Sequence, residues 1–430
     1  MPGPPDGAAA IPSGGFARAF SSLLNPQFRL LWFGTLFSMA AMQMNIIARP
    51  WLAYEISGSG VALGVVSLAR GLPMLVLSPV GGVAADRFSK RQTLLITQAS
   101  LGVIAVINAV LIFSGLIEVW HLVVLGLVEG AIFPFNMPAR QAFIPELVEQ
   151  DRLANALAMQ STGMNLNRVL SPTVAGVLLA VDASLAFAAV ALMYVGAVFM
   201  LLQLPPGRGA MGRGRGTLGE ILVGLRYIRT SPVLLTLIGM AFIPVLLGMP
   251  YQQLLPVFQQ DVLQIGPGRL GTLYTAAGVG SLAGSLIIAY FSEFPRKGLL
   301  QLVSGIGFGV SLALFALSTS YPLSLALLAL VGLTGQGYMT VNSVLIMLNT
   351  DRELYGRVMS VYMMTWSLMP VAMLPMGALV DTVGVQATVA GAGALLALFI
   401  AVAAVVHPAH RKMETPGASP GPLFPPHAPP

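Results

Sequence analysis

Four ionisable side chains interrupt otherwise apolar sequence in the first half of the chain: Arg49, Arg70, Glu129 and Arg168. If these stretches lie in lipid, each charge near the bilayer centre costs roughly 2.5–3.5 kcal/mol, so it must face a partner or a wet cavity. A carboxylate among guanidinium groups has two uses there: to neutralise charge, or to exchange a proton. At about 1.5 Å rise per residue, Glu129 and Arg70 fall at similar depth and Arg168 slightly further in. Glu129 is therefore expected to pair with Arg70 or Arg168, leaving surplus positive charge that suits an anionic or polar solute. The plainer alternative is a structural pair that locks one bundle of helices.

Polar residues extend the same faces. Asn45 and Arg49 are four apart, and Asn165 and Arg168 three apart, so each pair shares a helical face. Tyr338 and Asn342 are likewise four apart, with Gln336 close by. Gln252, Tyr362, Trp366 and Asn136 complete a set of candidate cavity residues, of which about half are expected to touch a pocket and the rest to bond helix to helix.

The elements that must carry these groups are twelve apolar stretches: 28–54, 61–85, 93–114, 120–138, 153–180, 183–204, 233–257, 268–292, 298–318, 322–348, 357–380 and 384–406. Each is long enough for a hydrocarbon core of about 30 Å, which takes roughly 20 apolar residues. Only 9% of the 430 residues are charged and 56% are hydrophobic, with mean hydropathy +0.81. A soluble domain carries about 25% charged residues. This composition describes an all-α membrane protein. Of the 22 basic residues, 18 fall on alternate connections that share a side with the N-terminus, and Arg269 alone lies opposite. Lys and Arg concentrate in cytoplasmic loops, so both termini are expected in the cytoplasm. The net charge of +6 then reports orientation and gives no reason to expect a nucleic-acid partner.

The longest connection separates stretches six and seven. It opens with Pro205-Pro206-Gly207 and a basic Gly-rich run. Leu218, Ile221, Leu222, Leu225 and Ile228 then recur at helical spacing against Arg226 and Arg229, as in a helix lying on the cytoplasmic surface. The expected divisions are an N-terminal segment 1–27, a six-helix bundle 28–204, a linker 205–232, a second six-helix bundle 233–406 and a Pro-rich disordered tail 407–430. Shifting the first half by 207 residues lays Leu63-Gly64 on Leu270-Gly271, Gly71 on Gly278, Asp86 on Glu293 and Lys90 on Lys297. Two pseudo-symmetric halves place a binding site at their interface near the midplane.

Between stretches two and three the chain reads Gly82-Val83-Ala84-Ala85-Asp86-Arg87-Phe88-Ser89-Lys90-Arg91. This resembles G-x-x-x-D-R-x-G-R-R, the signature of the major facilitator superfamily at that position, with Ser89 in place of a glycine. Pro138–Val148, Arg168–Gly176 and Gly356-Arg357-Val358-Met359-Ser360 further resemble the bacterial exporter branch that includes the enterobactin exporter and macrolide efflux proteins. The resemblance covers about 28–406 and implies the major facilitator fold, alternating access and export driven by an ion gradient, protons being the expected ion. It also implies a monomer in the bacterial inner membrane. On it, Gly82, Asp86, Arg87, Lys90 and Arg91 form a gate with Gly356, Arg357 and Ser360, Asp86 accepting from exposed N–H groups at the start of stretch eleven. Ser171, Pro172 and Gly176 match an antiporter signature G-P-x-x-G-G with small-residue replacements. The drug-exporter pattern R-x-x-Q-G aligns with Gly126–Gly130, and its arginine is absent. The coupling route therefore stays open.

Absences narrow the class. There is no cysteine, no G-x-x-x-x-G-K-[ST] and no H-E-x-x-H, and the four histidines, His121, His407, His410 and His427, lie at stretch ends or in the tail. No enzyme, metal site or cofactor is expected. The sequence reading is an exporter of a small amphiphilic or anionic molecule, siderophore or drug-like. The alternatives are import or uniport through the same fold, or a membrane sensor that moves nothing.

Overall fold

A computed structural model describes residues 21–150, 152–205, 217–291, 294 and 296–406; it leaves out the side chains of 21, of 79 and 82–87 inside the second helix, and of 217, 218, 220 and 221 in the linker helix. The N-terminal segment to residue 20, the Gly-rich run 206–216 and the tail from 407 lie outside the described residues. Among the described residues the structure is helical, and twelve helices are long and apolar enough to cross a membrane. Spans one to six are Pro26–Ser57, Gly60–Arg87, Lys90–Phe113, Val119–Leu147, Leu153–Val181 and Ala183–Leu202. Spans seven to twelve are Pro232–Val262, Pro267–Tyr290, Lys297–Leu317, Tyr321–Leu348, Tyr355–Val383 and Val385–Val406. Polar punctuation sets their ends. Asn25 accepts from the N–H groups of Gln27 and Phe28 at 2.9 and 3.2 Å to start span one, and Gly58, at φ 60°, ends it. A left-handed residue after a helix satisfies orphan carbonyls, and glycine adopts it at least cost.

Several spans are less regular than the sequence suggested. Span seven contains two π-turns, Pro244–Gly248 and Phe258–Val262, which extend it past 257. Its extra turn carries Asp261. Span eleven breaks between Trp366 and Met369, leaving two helices end to end. The linker helix, Thr217–Thr230, does not simply lie on a lipid surface. Ile228 is buried among Leu234, Val341 and Val358, Gly224 abuts the Arg357 backbone, and Tyr227 Oη donates to Asp351 Oδ2 at 3.0 Å. Leu222 and Leu225 stay exposed.

The spans pack on one another through small residues, as expected where lipid tails remove the hydrophobic drive between helices. Gly130 of span four sits against span two so closely that a Cβ there would stand 2.8 Å from the Arg70 carbonyl carbon. Gly280 and Gly284 of span eight meet the backbone of span ten at Ala329 and Leu333 in the same way. Overpacking a close contact costs about 1–3 kcal/mol. Gly130→Ala is therefore expected to lower the thermal stability of the purified protein by several degrees. Gly239→Ala, where a Cβ meets nothing, should leave it unchanged.

The six-helix halves share one apolar core on one side of the molecule and have separate cores on the other. Buried residues from both halves, Leu52, Leu63, Phe187, Phe258, Leu270 and Met373 among them, form one continuous cluster. On the side where span one begins and span twelve ends, called the terminal side below, Phe28, Leu94 and Phe143 cluster within the first half. Leu234, Leu345 and Val358 cluster within the second. The halves are therefore joined at the far side and parted at the terminal side.

Candidate transport cavity and gates

Where the halves part, a cavity of about 810 Å³ opens between spans two, four and eleven. Met74 and Ser78 line it from span two, and Phe133, Pro134, Met137, Pro138 and Gln141 from span four. Span eleven supplies Gly356, Arg357, Met359, Ser360, Met363, Met364, Trp366 and Ser367, and Glu353 stands just before it. Five methionines and two aromatic rings make a soft, reshapable wall. The polar groups are few and lie toward the terminal side. Such a cavity suits a mostly apolar small molecule with a polar end.

The far side is sealed by contacts between the halves. Gly60 of span two and Gly377 of span eleven lie backbone to backbone: a Cβ on Gly60 would be 2.5 Å from the Gly377 oxygen. The contact continues through Gly64 against Leu374 to Gly71 against Pro370. There the spans diverge, and Met74 and Ser78 already face the cavity. Asp381 closes the same corner. Its carboxylate accepts from the N–H groups of Gly60 (2.5 Å) and Val61 (3.0 Å) and from Ser59 Oγ (2.7 Å). A carboxylate on orphan N–H groups at a helix start is favoured by both hydrogen bonding and the helix dipole. Beside it Tyr54 Oη donates to Asp261 Oδ2 at 2.6 Å, Gln260 Nε2 donates to Glu55 Oε2 at 2.7 Å, and Ser67 bonds to Gln253.

Spans five and eight form the opposite seam. A Cβ on Gly176 would stand 2.8 Å from the Gly271 Cα, and Thr173 and Thr275 share a hydroxyl hydrogen bond of 2.8 Å. Pro172 and Ser171 are buried, and Ser171 Oγ donates to Asn167 Oδ1 at 3.0 Å. Midway down this seam Arg168 Nη1 donates to Gln336 Oε1 of span ten at 3.3 Å. No carboxylate pairs with Arg168 among the described residues.

Glu129 is held inside the first half. It forms an ion pair with Arg49, both 4% exposed, lies 3.6 Å from Arg70 Nε, and accepts from Asn45 Nδ2 at 2.7 Å. Arg49 and Arg70 thus hold Glu129, while Arg168 points elsewhere, across the interface. Arg70 of this cluster is 25% exposed and stands 5.8 Å over the ring of Phe133, which lines the cavity.

Most other polar residues named from the sequence are not brought to the cavity. Asn45 is spent on Glu129. Asn136 donates to Thr97 Oγ1 at 3.0 Å, and Asn342 accepts from Gln301 at 2.7 Å. Tyr338 is fully buried and donates to the Met240 carbonyl at 2.9 Å, and Tyr362 is buried against Met339. The reason is common to these: a polar side chain in an apolar helix must find a partner, and the nearest lie within its own half. Gln252 is not among the cavity-lining residues either, and its backbone carbonyl accepts from Tyr274 Oη at 2.5 Å. Asn165 is exposed, Gln336 holds Arg168, and Trp366 lines the cavity.

The motif residues divide similarly. Gly356, Arg357 and Ser360 line the cavity mouth. Lys90 pairs with Glu146 at 2.7 Å within the first half. Arg91 donates from Nε to the Leu201 carbonyl at 3.1 Å and from Nη2 to that of Leu202 at 2.7 Å, capping span six. The side chains of Gly82, Asp86 and Arg87 lie outside the described residues. Arg140, counted from sequence as a connection residue, is inside span four and 3% exposed. Sequence reading passed over Asp261 and Asp381 too; an acid within four residues of the end of an apolar stretch was the available signal.

Over residues 17–427 the chain matches the family described as transmembrane secretion effector. The multidrug efflux pump Tap of Mycolicibacterium fortuitum is 28% identical over 405 residues, covering 90% of this chain and 96% of that one. The staphyloferrin A transporter of Staphylococcus aureus is 26% identical, covering 80% and 86%. Among solved structures, a bacterial homolog of the human lysosomal transporter Spinster, in an inward-facing conformation, superposes with a TM-score of 0.65 at 14% identity, over 92% of this chain and 96% of that one.

Proposed function

Because the chain belongs to the transmembrane secretion effector family, of the major facilitator type, it is a multi-pass membrane transporter, and we propose that it exports a small amphiphilic or anionic molecule by alternating access, coupled to an ion gradient. The observation that carries the reading is a large, methionine-lined cavity between the halves, open on the terminal side and sealed on the far side. The bias of 18 of 22 basic residues toward the terminal side supports a cytoplasmic position for that side. The structure is then the state that loads substrate from the cell. That the relatives export drugs or serve a siderophore supports the direction and the substrate class.

Roles follow from position. The cavity wall takes the apolar body of the substrate. Arg168, facing the interface and bonded to the neutral Gln336, draws its acidic end toward mid-membrane as the halves rock. Glu129, between Arg49 and Arg70, is the candidate coupling carboxylate, and protons the candidate ion: Arg70, packed on the cavity-lining Phe133, connects its charge to the substrate path. One charge through 100 mV yields about 2.3 kcal/mol and one pH unit about 1.4 kcal/mol, enough for one proton to hold roughly a hundredfold gradient. Asp86 closes the terminal side in the opposite state by accepting from the start of span eleven near Gly356. The protein works as a monomer in the plasma membrane.

Transport in inverted vesicles tests this. An imposed pH gradient should drive uptake of an amphiphilic anion into the vesicles, and uptake that ignores the gradient would point to uniport. A charge-assisted hydrogen bond is worth about 1.5–3 kcal/mol. Arg168→Gln is thus expected to raise KM for an acidic substrate about tenfold, with less than a twofold change for its ester. Equal losses for both would remove Arg168 from substrate binding.

A further inference from the structure

Arg168 and Gln336 meet across the interface of the halves, one on span five and one on span ten. Arg168 Nη1 donates to Gln336 Oε1 at 3.3 Å, and Gln336 Nε2 donates in turn to Thr340 Oγ1 at 3.2 Å. The bond to Thr340 turns the amide so that its oxygen faces the guanidinium. Gly278 of span eight leaves room for the reach: a Cβ there would stand 3.1 Å from the Arg168 carbonyl oxygen and 3.6 Å from Arg168 Cγ. Gln336 is half-buried, whereas Arg168 is exposed, as is Asn165 one turn before it. Ala158 and Ser161 continue that exposed stripe toward the terminal side. The guanidinium thus stands at the head of a strip of small and polar side chains.

The shift of 207 residues that relates the halves lays Glu129-Gly130 on Gln336-Gly337. The first half answers Arg49 and Arg70 with a carboxylate; the second answers Arg168 with an amide. Glutamate and glutamine have the same reach, so the difference is one of charge. A carboxylate at 336 would hold Arg168 and neutralise it. The amide holds it and adds no negative charge, and the remaining N–H donors of the fork suit the paired oxygens of an oxyanion. We propose, resting on the assignment of Arg168 to the acidic end of the solute, that Gln336 sets the charge specificity of this site. It keeps Arg168 in place as an anion-selective group, so that solutes ending in a carboxylate or sulfonate are preferred over neutral or cationic ones of the same shape.

The local potential beside Arg168 tests this without any substrate. The chain contains no cysteine, so Asn165→Cys places a single thiol three residues from Arg168, about 5–6 Å between Cβ atoms. Its reaction rates with sulfonatoethyl and trimethylammonioethyl methanethiosulfonate are measured on the purified full chain. The two reagents attack the same thiolate, so the anionic-to-cationic rate ratio reports the potential there. Adding Arg168→Gln should lower that ratio about fivefold or more. Gln336→Glu should lower it as far, and Gln336→Leu should change it by less than about twofold. A ratio that Gln336→Glu leaves at the parent value would overturn the proposal, as would one insensitive to Arg168→Gln. So would an equal fall with Gln336→Leu, which would make position 336 matter through shape and not charge. The expected ratios, found together with equal losses for acid and ester in Arg168→Gln, would uphold Gln336 and remove only the assignment of Arg168 to the substrate.

Discussion

Glu129→Gln is expected to lower stability by about 3–5 kcal/mol, the range for removing one partner of a buried ion pair, and to reduce transport by at least tenfold. The stability loss follows from geometry. Arg49 is 4% exposed and Arg70 25% exposed, so the glutamine would leave two guanidinium groups facing each other in the interior. Its amide can still bond Asn45 but carries no charge. Thermal unfolding in detergent and uptake into inverted vesicles measure the two effects separately. Adding Arg49→Leu removes the orphaned cation and should return more than half of the lost stability without returning transport. Such a cycle separates the energy of the pair from its use. A stable Glu129→Gln protein with full transport would sink the coupling assignment and leave a structural ion pair.

The second large effect is expected at the far-side seal. A side chain at Gly60 begins 2.5 Å from the Gly377 oxygen and 2.9 Å from the Val380 Cβ. Both are fixed parts of a neighbouring helix, so Gly60→Val must push spans two and eleven apart. The expected outcome is a protein held open on the far side and closed on the terminal side, with transport lost and the fold kept. The chain contains no cysteine, so single cysteines report cleanly. A thiol introduced at Met363 in the cavity should react fast with a membrane-impermeant maleimide from the terminal side in the parent, and at least tenfold more slowly in the Gly60→Val background. Asp381→Asn, which weakens the hydrogen bonds at the same corner, should shift labelling in the same direction by a smaller factor. Unchanged labelling in both variants would mean that the seal does not hold the conformation.

Much of the architecture was legible in the sequence because the bilayer imposes it. With no water to satisfy backbone groups, a spanning segment must be a helix, and its length follows from hydrocarbon thickness. Composition, the twelve stretches and the Asp86 motif sufficed for the fold. The site was less legible. These helices are apolar on nearly every face, so the periodicity that marks the buried side of a soluble helix is faint. Asn165 and Arg168 share a face by spacing, yet no rule of spacing says that Arg168 reaches Gln336 rather than Glu129. Arg140 counted as a loop charge because the fourth apolar stretch ends at 138; the helix runs on through Pro138 and Pro145 to Leu147.

The amino-acid order determined that the chain crosses the membrane twelve times, as two related halves with their basic residues to one side. Only the tertiary structure decided that Glu129 belongs to Arg49 and Arg70, that Asp381 closes the far corner, and that the cavity wall is methionine. The first set depends on transfer of each segment from water to lipid, a property of local composition. The second depends on how each helix is rotated against its neighbours, which is set by close contacts such as Gly60 on Gly377 and Gly130 on Arg70, between residues far apart in the chain.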